Sequence, residues 1–460
     1  MGATSVELEE AVGRPGWARK LATGSVLLSL VVSAFEGTVV TSAMPTITRE
    51  LGGQALYAWV FSGFLFASTF GILVSGKLAD HFGRKPVFLA GMGLFLAGSA
   101  LCGLAGSVPA LIAFRVVQGL GAGALQPTTM LISADLYTLK ERAAVQGLFT
   151  GAWGAANVLG PVIGGWIVMH ASWRWVFLVN VPVGVFAMAL LHLSFRDPVR
   201  RSTRVDVRAP VLAGVAVALV LFALESGHFA LPARIGFVGV AAGLLAALVR
   251  QQKRTEAPLL PLPLLRDGTV LSGLLGGMAS GGLLYGLSAY VPLWMHGRGH
   301  SPVVSGLALV PMLVGWSVGS SFGPRVLLRG GMRVSVGGGL CLALVGSGLL
   351  TLSAALDWGL PAILASLALL GLGLGPAAST SIIGPQARAP WHHRGAVTSA
   401  VYAVRALGGS VIVAAMALAH GGNAQRFGLI AIVTGVAAVT LVSLAPRSFP
   451  QRVAESPAAD

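Results

Sequence analysis

Residues 147–165 read G-L-F-T-G-A-W-G-A-A-N-V-L-G-P-V-I-G-G, with glycine at 147, 151, 154, 160, 164 and 165, proline at 161 and no charge. In water so much glycine and proline breaks a helix, whereas in a bilayer the backbone must satisfy its own polar groups and the helix persists. Small residues there let a neighbouring backbone approach closely. The stretch predicts a membrane helix with one smooth, bendable face, and it makes lipid the solvent in which the rest of the chain folds.

Composition agrees. The chain is 55% hydrophobic and 10% charged, with mean hydropathy +0.80, where a soluble domain carries about 25% charged residues. At roughly 20 apolar residues per crossing, it divides into fourteen spans: 21–44, 55–76, 87–106, 108–133, 144–169, 175–195, 209–226, 232–249, 269–295, 302–322, 334–355, 358–384, 395–419 and 427–446. The first is too long for a signal-peptide core and has no convincing cleavage site at its flank, so it is expected to be retained.

A net charge of +15 invites comparison with nucleic-acid binders, but the placement of the charge decides against one. With the N-terminus inside, 24 of the 31 Lys and Arg fall on the cytoplasmic side, five on the outer side (Arg49, Arg174, Arg234, Arg298, Arg426) and two within spans (Arg115, Arg405). That is the positive-inside bias, and it predicts both termini in the cytoplasm. Cys102 and Cys341 lie in separate spans and read as free thiols, and the histidines show no ligand spacing, so no metal site is expected.

The organisation is that of a duplicated transporter. The loop G-K-L-A-D-H-F-G-R-K from Gly76 to Lys85 has an echo 247 positions on in G-P-R-V-L-L-R-G, pairing Gly76 with Gly323 and Gly83 with Gly330, while Leu327 stands where the acid would be. Internal symmetry of this kind marks transporters built from repeats. The expected units are a cytoplasmic segment 1–20, a six-helix bundle 21–195, Arg-rich linkers with two inserted helices 196–268, a second six-helix bundle 269–446 and a cytoplasmic tail 447–460. Outer connections are a few residues long, so a catalytic domain has nowhere to sit, and no phosphate-binding G-x-x-x-x-G-K-[ST] loop is present.

Among sixteen acidic residues only Glu36, in S-A-F-E-G-T-V-V, lies deep in a span. An intramembrane carboxylate is costly and is a functional candidate by default; the alternative is a structural acid neutralised by its neighbours. Arg115, opening R-V-V-Q-G-L-G-A-G in the fourth span, carries a penalty of about 2.5–3.5 kcal/mol at a helix centre and must find a partner inside the protein. Glu36 is therefore the expected proton-coupling acid and Arg115 a candidate to modulate its protonation, directly or through water, with a purely structural ion pair as the alternative. In the Gly76–Lys85 loop, Asp80 is placed to accept from Arg84 or from backbone amides at a helix end, and the glycines permit a tight reversal.

These motifs together resemble the major facilitator superfamily, and within it the fourteen-span drug:proton antiporters. The loop matches the superfamily's G-x-x-x-D-x-x-G-R-K pattern through Gly76, Asp80, Gly83, Arg84 and Lys85, which implies a conformational latch on the cytoplasmic side. Arg115, Gln118, Gly119, Gly121 and Gly123 match its fourth-helix motif, in which the arginine is linked to proton transfer. Gly151, Gly160, Pro161, Gly164 and Gly165 match the fifth-helix signature associated with antiport. S-W-R-W-V-F-L-V-N-V-P from Ser172, the run S-G-L-A-L-V-P ending at Pro311 and R-G-A-V-T-S-A-V-Y-A-V-R-A-L-G-G from Arg394 extend the likeness over nearly the whole chain. Glu36 stands where aspartate is usual, and Phe64 where tyrosine is common.

The resemblance implies an all-α polytopic inner-membrane transporter of bacterial origin, two six-helix halves plus two inserted helices, working as a monomer. It would export amphipathic drugs, antibiotics or metabolites in exchange for protons, with the proton gradient in place of any cofactor. Its partners would be a small lipophilic substrate, protons and membrane lipid, and no nucleic acid. Candidate walls of a midplane cavity are Trp59, Gln126, Asn157, Tyr285, Tyr290, Trp294, Tyr402 and Arg405, with an interface anchor as the alternative reading of Trp294 near an outer end. With Glu36 as the sole deep carboxylate, neutral or monocationic compounds are favoured. Arg405 either pairs with a carbonyl or polar side chain or receives an anionic substrate. A lipid or glycolipid flippase and a proton-coupled nutrient importer are the rival functions on the same fold. Arginine far outnumbers lysine beside abundant Ala and Gly, as in a GC-rich bacterium, a setting that suits self-protection against a home-made antibiotic.

Overall fold

The computed structural model describes residues 16–52, 56–138, 141–197, 208–225, 231–252, 262–300, 302–390, 393–418 and 422–446. Residues 1–15 of the expected N-terminal segment, the whole C-terminal tail, and residues 198–207 and 253–261 of the two linkers lie outside these residues. Helices dominate, and no strand occurs among the described residues.

The first bundle comprises α1 (Gly16–Leu51), α2 (Tyr57–Phe82), α3 (Arg84–Gly103), α4 (Val108–Leu136), α5 (Arg142–His170) and α6 (Asn180–Ser194), the last led in by a short helical piece, Arg174–Leu178. The inserted pair is α7 (Arg208–Glu225) and α8 (Leu231–Gln252). The second bundle comprises α9 (Gly268–Gly297), α10 (Val310–Met332), α11 (Gly338–Ala355), α12 (Leu360–Arg388), α13 (Arg394–Leu418) and α14 (Gly422–Leu444). Several helices outrun the apolar spans that predicted them, α1 at both ends, because turns beyond the hydrocarbon layer are paid no hydropathy penalty by their polar residues. Among the described residues eleven stretches are long and apolar enough to cross a membrane, one of them, Val304–Ala355, running through both α10 and α11. The count of fourteen crossings is therefore a proposal.

Duplication is visible in the packing. In the first bundle α2 and α3 pack on α4, α1 packs on α5 and α6, and α3 packs on α6; in the second, α10 and α11 pack on α12, α9 on α13 and α14, and α11 on α14. Close approach depends on glycine at matching places. A Cβ at Gly123 of α4 would lie 2.9 Å from the Ile72 nitrogen of α2, and one at Gly375 of α12 would lie 2.7 Å from the Gly319 carbonyl carbon of α10. In lipid, where burial of apolar surface supplies little drive, such backbone contact is what holds helices together.

The echo of the Gly76–Lys85 loop is shifted by one residue. Gly83 turns the chain between α2 and α3 with φ +96°, whereas in the second half the left-handed residue is Gly331 (φ +67°), not Gly330. A five-residue π-helical stretch, Arg333–Gly337, follows before α11 and absorbs the extra residue. Leu327, opposite Asp80 in the repeat, is fully buried in the second core.

The halves meet along two seams, α2 against α13 and α5 against α10. The inserted α7 packs on both α2 and α13, in a cluster that joins Leu73, Ala213, Val217 and Ala403. It thus lies over one seam, while α8 packs on α7 and is almost entirely unburied by protein.

Candidate functional site

Glu36 of α1 is fully buried, and so is Arg115 of α4. Arg115 Nη1 donates to Glu36 Oε1 in an ion pair, and it also donates to Gln118 Oε1 at 2.8 Å. Asn180, the first residue of α6, donates through Nδ2 to Glu36 Oε2 at 2.5 Å. Asn180 Nδ2 and Gln118 Nε2 both reach Ser99 Oγ of α3 at 3.1 Å, and Ser99 in turn donates to the Phe177 carbonyl at 2.8 Å. The Arg115 guanidinium lies 4.1 Å from the centroid of the Phe64 ring. Both carboxylate oxygens accept N–H donors, so the network is built for the ionised acid. Protonation would turn one acceptor into a donor that cannot face the guanidinium.

Asn180 and Ser99 were missed by sequence reasoning. Asn180 did carry a signal, as a lone polar residue opening an otherwise apolar helix.

The loop residues divide into two systems. Asp80 accepts from the backbone amides of Gly395 (2.8 Å) and Ala396 (3.0 Å) at the start of α13, in the opposite half. A carboxylate there meets the positive end of a helix and its unpaired amides. Gly76 lies one turn earlier on α2, where an added Cβ would sit 2.8 Å from Ser399 Cβ of α13. Arg84 forms its ion pair with Asp135 of α4 at 2.9 Å, within the first half, so of the two partners open to Asp80 the structure uses the amides. Asp197, beyond α6, accepts from the Arg84 and Lys85 amides at 2.7 and 3.0 Å and caps α3. It also crowds Gly83, where a Cβ would fall 2.7 Å from Asp197 Oδ2. Lys85 Nζ donates to the His192 carbonyl at 2.6 Å.

The glycines of α5 divide as well. Ser317 Oγ of α10 donates to the Gly147 carbonyl at 2.8 Å, and a Cβ at Gly151 would lie 3.1 Å from Ser317 Oγ. Gly160 and Gly164 are buried, while Gly165 has nothing within 4 Å. The side chains of Asn157 and Pro161 lie outside the described set.

A cavity of about 140 Å³ sits between the halves. Of the candidate wall residues it brings together Gln126, Tyr285, Tyr402 and Arg405, and it adds Trp153 of α5 and Trp316 of α10, whose rings meet edge to face at 5.8 Å. Three expectations are corrected. Trp59 and Tyr290 do not line the cavity; Tyr290 OH instead reaches the Val413 carbonyl at 3.4 Å, and its ring lies under Arg426. Trp294 neither lines the cavity nor serves as an interface anchor, being 4% exposed and packed on Phe427. Glu36 is also absent from the wall, which Ser33, one turn before it on α1, reaches instead.

The Major Facilitator Superfamily profile matches residues 26–413. Multidrug transporter protein MdtP of Bacillus subtilis is 32% identical over 417 residues, covering 88% of this chain and 76% of the relative. Multidrug resistance protein 3 of the same organism is 32% identical over 65% of this chain, which spans 59% of that relative. The tetracenomycin C resistance and export protein of Streptomyces glaucescens is 32% identical over 79% of this chain and 68% of its own length. Among solved structures, the proton:xylose symporter XylE aligns with TM-score 0.67 over 93% of this chain and 96% of its own at 14% identity, a likeness of fold alone.

Proposed function

The chain belongs to the major facilitator superfamily, a family of membrane transporters rather than enzymes, and we propose that it exports amphipathic drugs, antibiotics or metabolites in exchange for protons. The observation that carries this reading is the buried Glu36–Arg115 pair set one helical turn behind the wall of an aromatic cavity that both halves line. A proton arriving at Glu36 releases Arg115, and the rearrangement is passed along α1 to Ser33 at the cavity and along α4 to Gln126. Relatives whose names record multidrug transport and antibiotic export support the direction. With the basic loops in the cytoplasm, as the charge bias has it, the Asp80 contact with α13 latches the cytoplasmic end and must open once per cycle. The membrane potential contributes about 2.3 kcal/mol per charge per 100 mV, so one or two protons sustain a substantial gradient.

Proton release from acid-loaded inside-out vesicles, on addition of lipophilic antibiotics and dyes, tests the reading in wild type and Glu36→Gln. Substrate-triggered release that disappears in the variant supports antiport coupled at Glu36. Undiminished release by the variant removes Glu36 from that role, and silence in both turns the assignment toward a flippase.

A further inference from the structure

Arg405 projects from α13 into the cavity between the halves, and none of the described residues lining that cavity is a carboxylate. Its guanidinium carbon lies 5.1 Å from the centroid of Trp316. It takes part in none of the ion pairs found among the described residues. Arg115, fully buried in the first bundle, has its acid in direct contact. The two intramembrane arginines thus differ in kind, one neutralised by an acid and one lying over an indole. A cation lying over an aromatic face is attracted by the ring without spending on it the N–H donors around the guanidinium edge. Such an edge is the fork that a carboxylate or phenolate engages by paired hydrogen bonds. Around it stand aromatic rings, Trp153, Trp316 and Phe149, and neutral donors and acceptors, Gln126 and Tyr402.

We propose that the cavity selects flat aromatic compounds carrying one negative charge, with Arg405 receiving the anion and the indoles packing against the ring system. The proposal rests on this cavity being the substrate site of the export reading. It departs from the neutral or monocationic preference that Glu36 suggests, because Glu36 is spent on Arg115 and lies behind the wall.

The test is equilibrium binding to the purified full chain, followed by tryptophan fluorescence, with three probes of one shape: 2-naphthoate, 2-naphthamide and 2-naphthylmethylammonium. The expected result is naphthoate binding tighter than the ammonium probe by about tenfold or more, a difference of roughly 1.4 kcal/mol. Arg405→Gln abolishes that preference, and Arg405→Lys, the control for folding, keeps its sign with weaker affinity. Equal or tighter binding of the ammonium probe, unchanged naphthoate affinity in a folded Arg405→Gln, or no naphthoate binding to wild type overturns the proposal. The assay needs no proton gradient, so any of these outcomes leaves proton-coupled export standing, and that reading fails separately in the vesicle assay.

Discussion

Asp80 and Gly395 are 315 residues apart in sequence and joined by one hydrogen bond of 2.8 Å between carboxylate and backbone amide. A second bond, from the Ala396 amide, completes a helix cap supplied from the opposite half of the molecule. Hydrogen bonds to a charged group contribute about 1.5–3 kcal/mol each. The seam between α2 and α13 therefore carries a polar clasp, which in the proposed cycle would bias the closed state and release as it opens.

Replacing Asp80 with Asn retains one acceptor oxygen and removes the charge. The closed population is expected to fall by roughly tenfold, the equivalent of about 1.4 kcal/mol. Spin-label distances between the Asp80 end of α2 and the Gly395 end of α13 would lengthen, with export reduced and expression unchanged. An unaltered distance distribution would show that the clasp does not hold the seam.

Breaking a buried ion pair by removing one partner typically destabilises by about 3–5 kcal/mol, because the other charge is stranded. Arg115→Gln is expected to fall in this range, since Glu36 would keep only neutral partners, Asn180 and Gln118. Glu36→Gln should fall in the same range, because the buried Arg115 guanidinium cannot shed its charge and keeps only neutral acceptors. The double variant Glu36→Gln/Arg115→Gln should recover most of the stability and none of the proton-coupled export. Thermal unfolding and vesicle flux on the three proteins check this. Recovery of export in the double variant would mean that the pair is structural.

The helices and the Glu36–Arg115 pair were legible in the sequence for one reason: in lipid, apolar length and isolated charge have few alternative explanations. The partner of Asp80 was less so, because a backbone amide leaves no mark on the side chains, and the same acid could equally have taken Arg84. Arg84 instead uses Asp135, and Asp197 caps α3, through contacts between helices whose relative rotation no local pattern states. Rotation also explains the cavity. Helices surrounded by lipid and protein are apolar all round, so Trp59 and Tyr290 looked as eligible as Trp153 and Trp316, which the structure places in the wall.

Asp267 gives a prediction in pH. It precedes α9, accepting from the Thr269 and Val270 amides at 2.8 and 3.3 Å and from Arg388 of α12 at 3.0 and 2.8 Å. Burial alone would raise its pKa, but Arg388 and the two amides outweigh burial and hold the carboxyl below its ordinary 3.8. A group depressed in the folded state stabilises fully above its unfolded value and loses that contribution as pH falls through the folded one. Acidification below about 4 should therefore weaken the α9–α12 link, a cap of this kind contributing about 0.5–2 kcal/mol. Asp267→Asn should be less stable at neutral pH and lose less on acidification. Parallel melting curves across pH for the two proteins would count against the link.

The α5 glycines separate packing from motif. A Cβ at Gly151 would come within 3.1 Å of Ser317 Oγ, and Gly154 faces Leu313 with 3.4 Å to its Cβ, whereas Gly165, in the same run, faces open space. Gly151→Val must push α10 away, and overpacking of this sort costs about 1–3 kcal/mol. Because α5 and α10 form one of the two seams between the halves, the strain falls on the closed arrangement of the halves more than on either bundle. Gly151→Val should therefore lose export while its melting temperature moves little, and Gly165→Ala should keep both. If Gly165→Ala proved as damaging as Gly151→Val, the run would matter through bending of α5 rather than through its contact with α10. Export rates and melting temperatures of the two variants, measured side by side, decide between the seam and the bend.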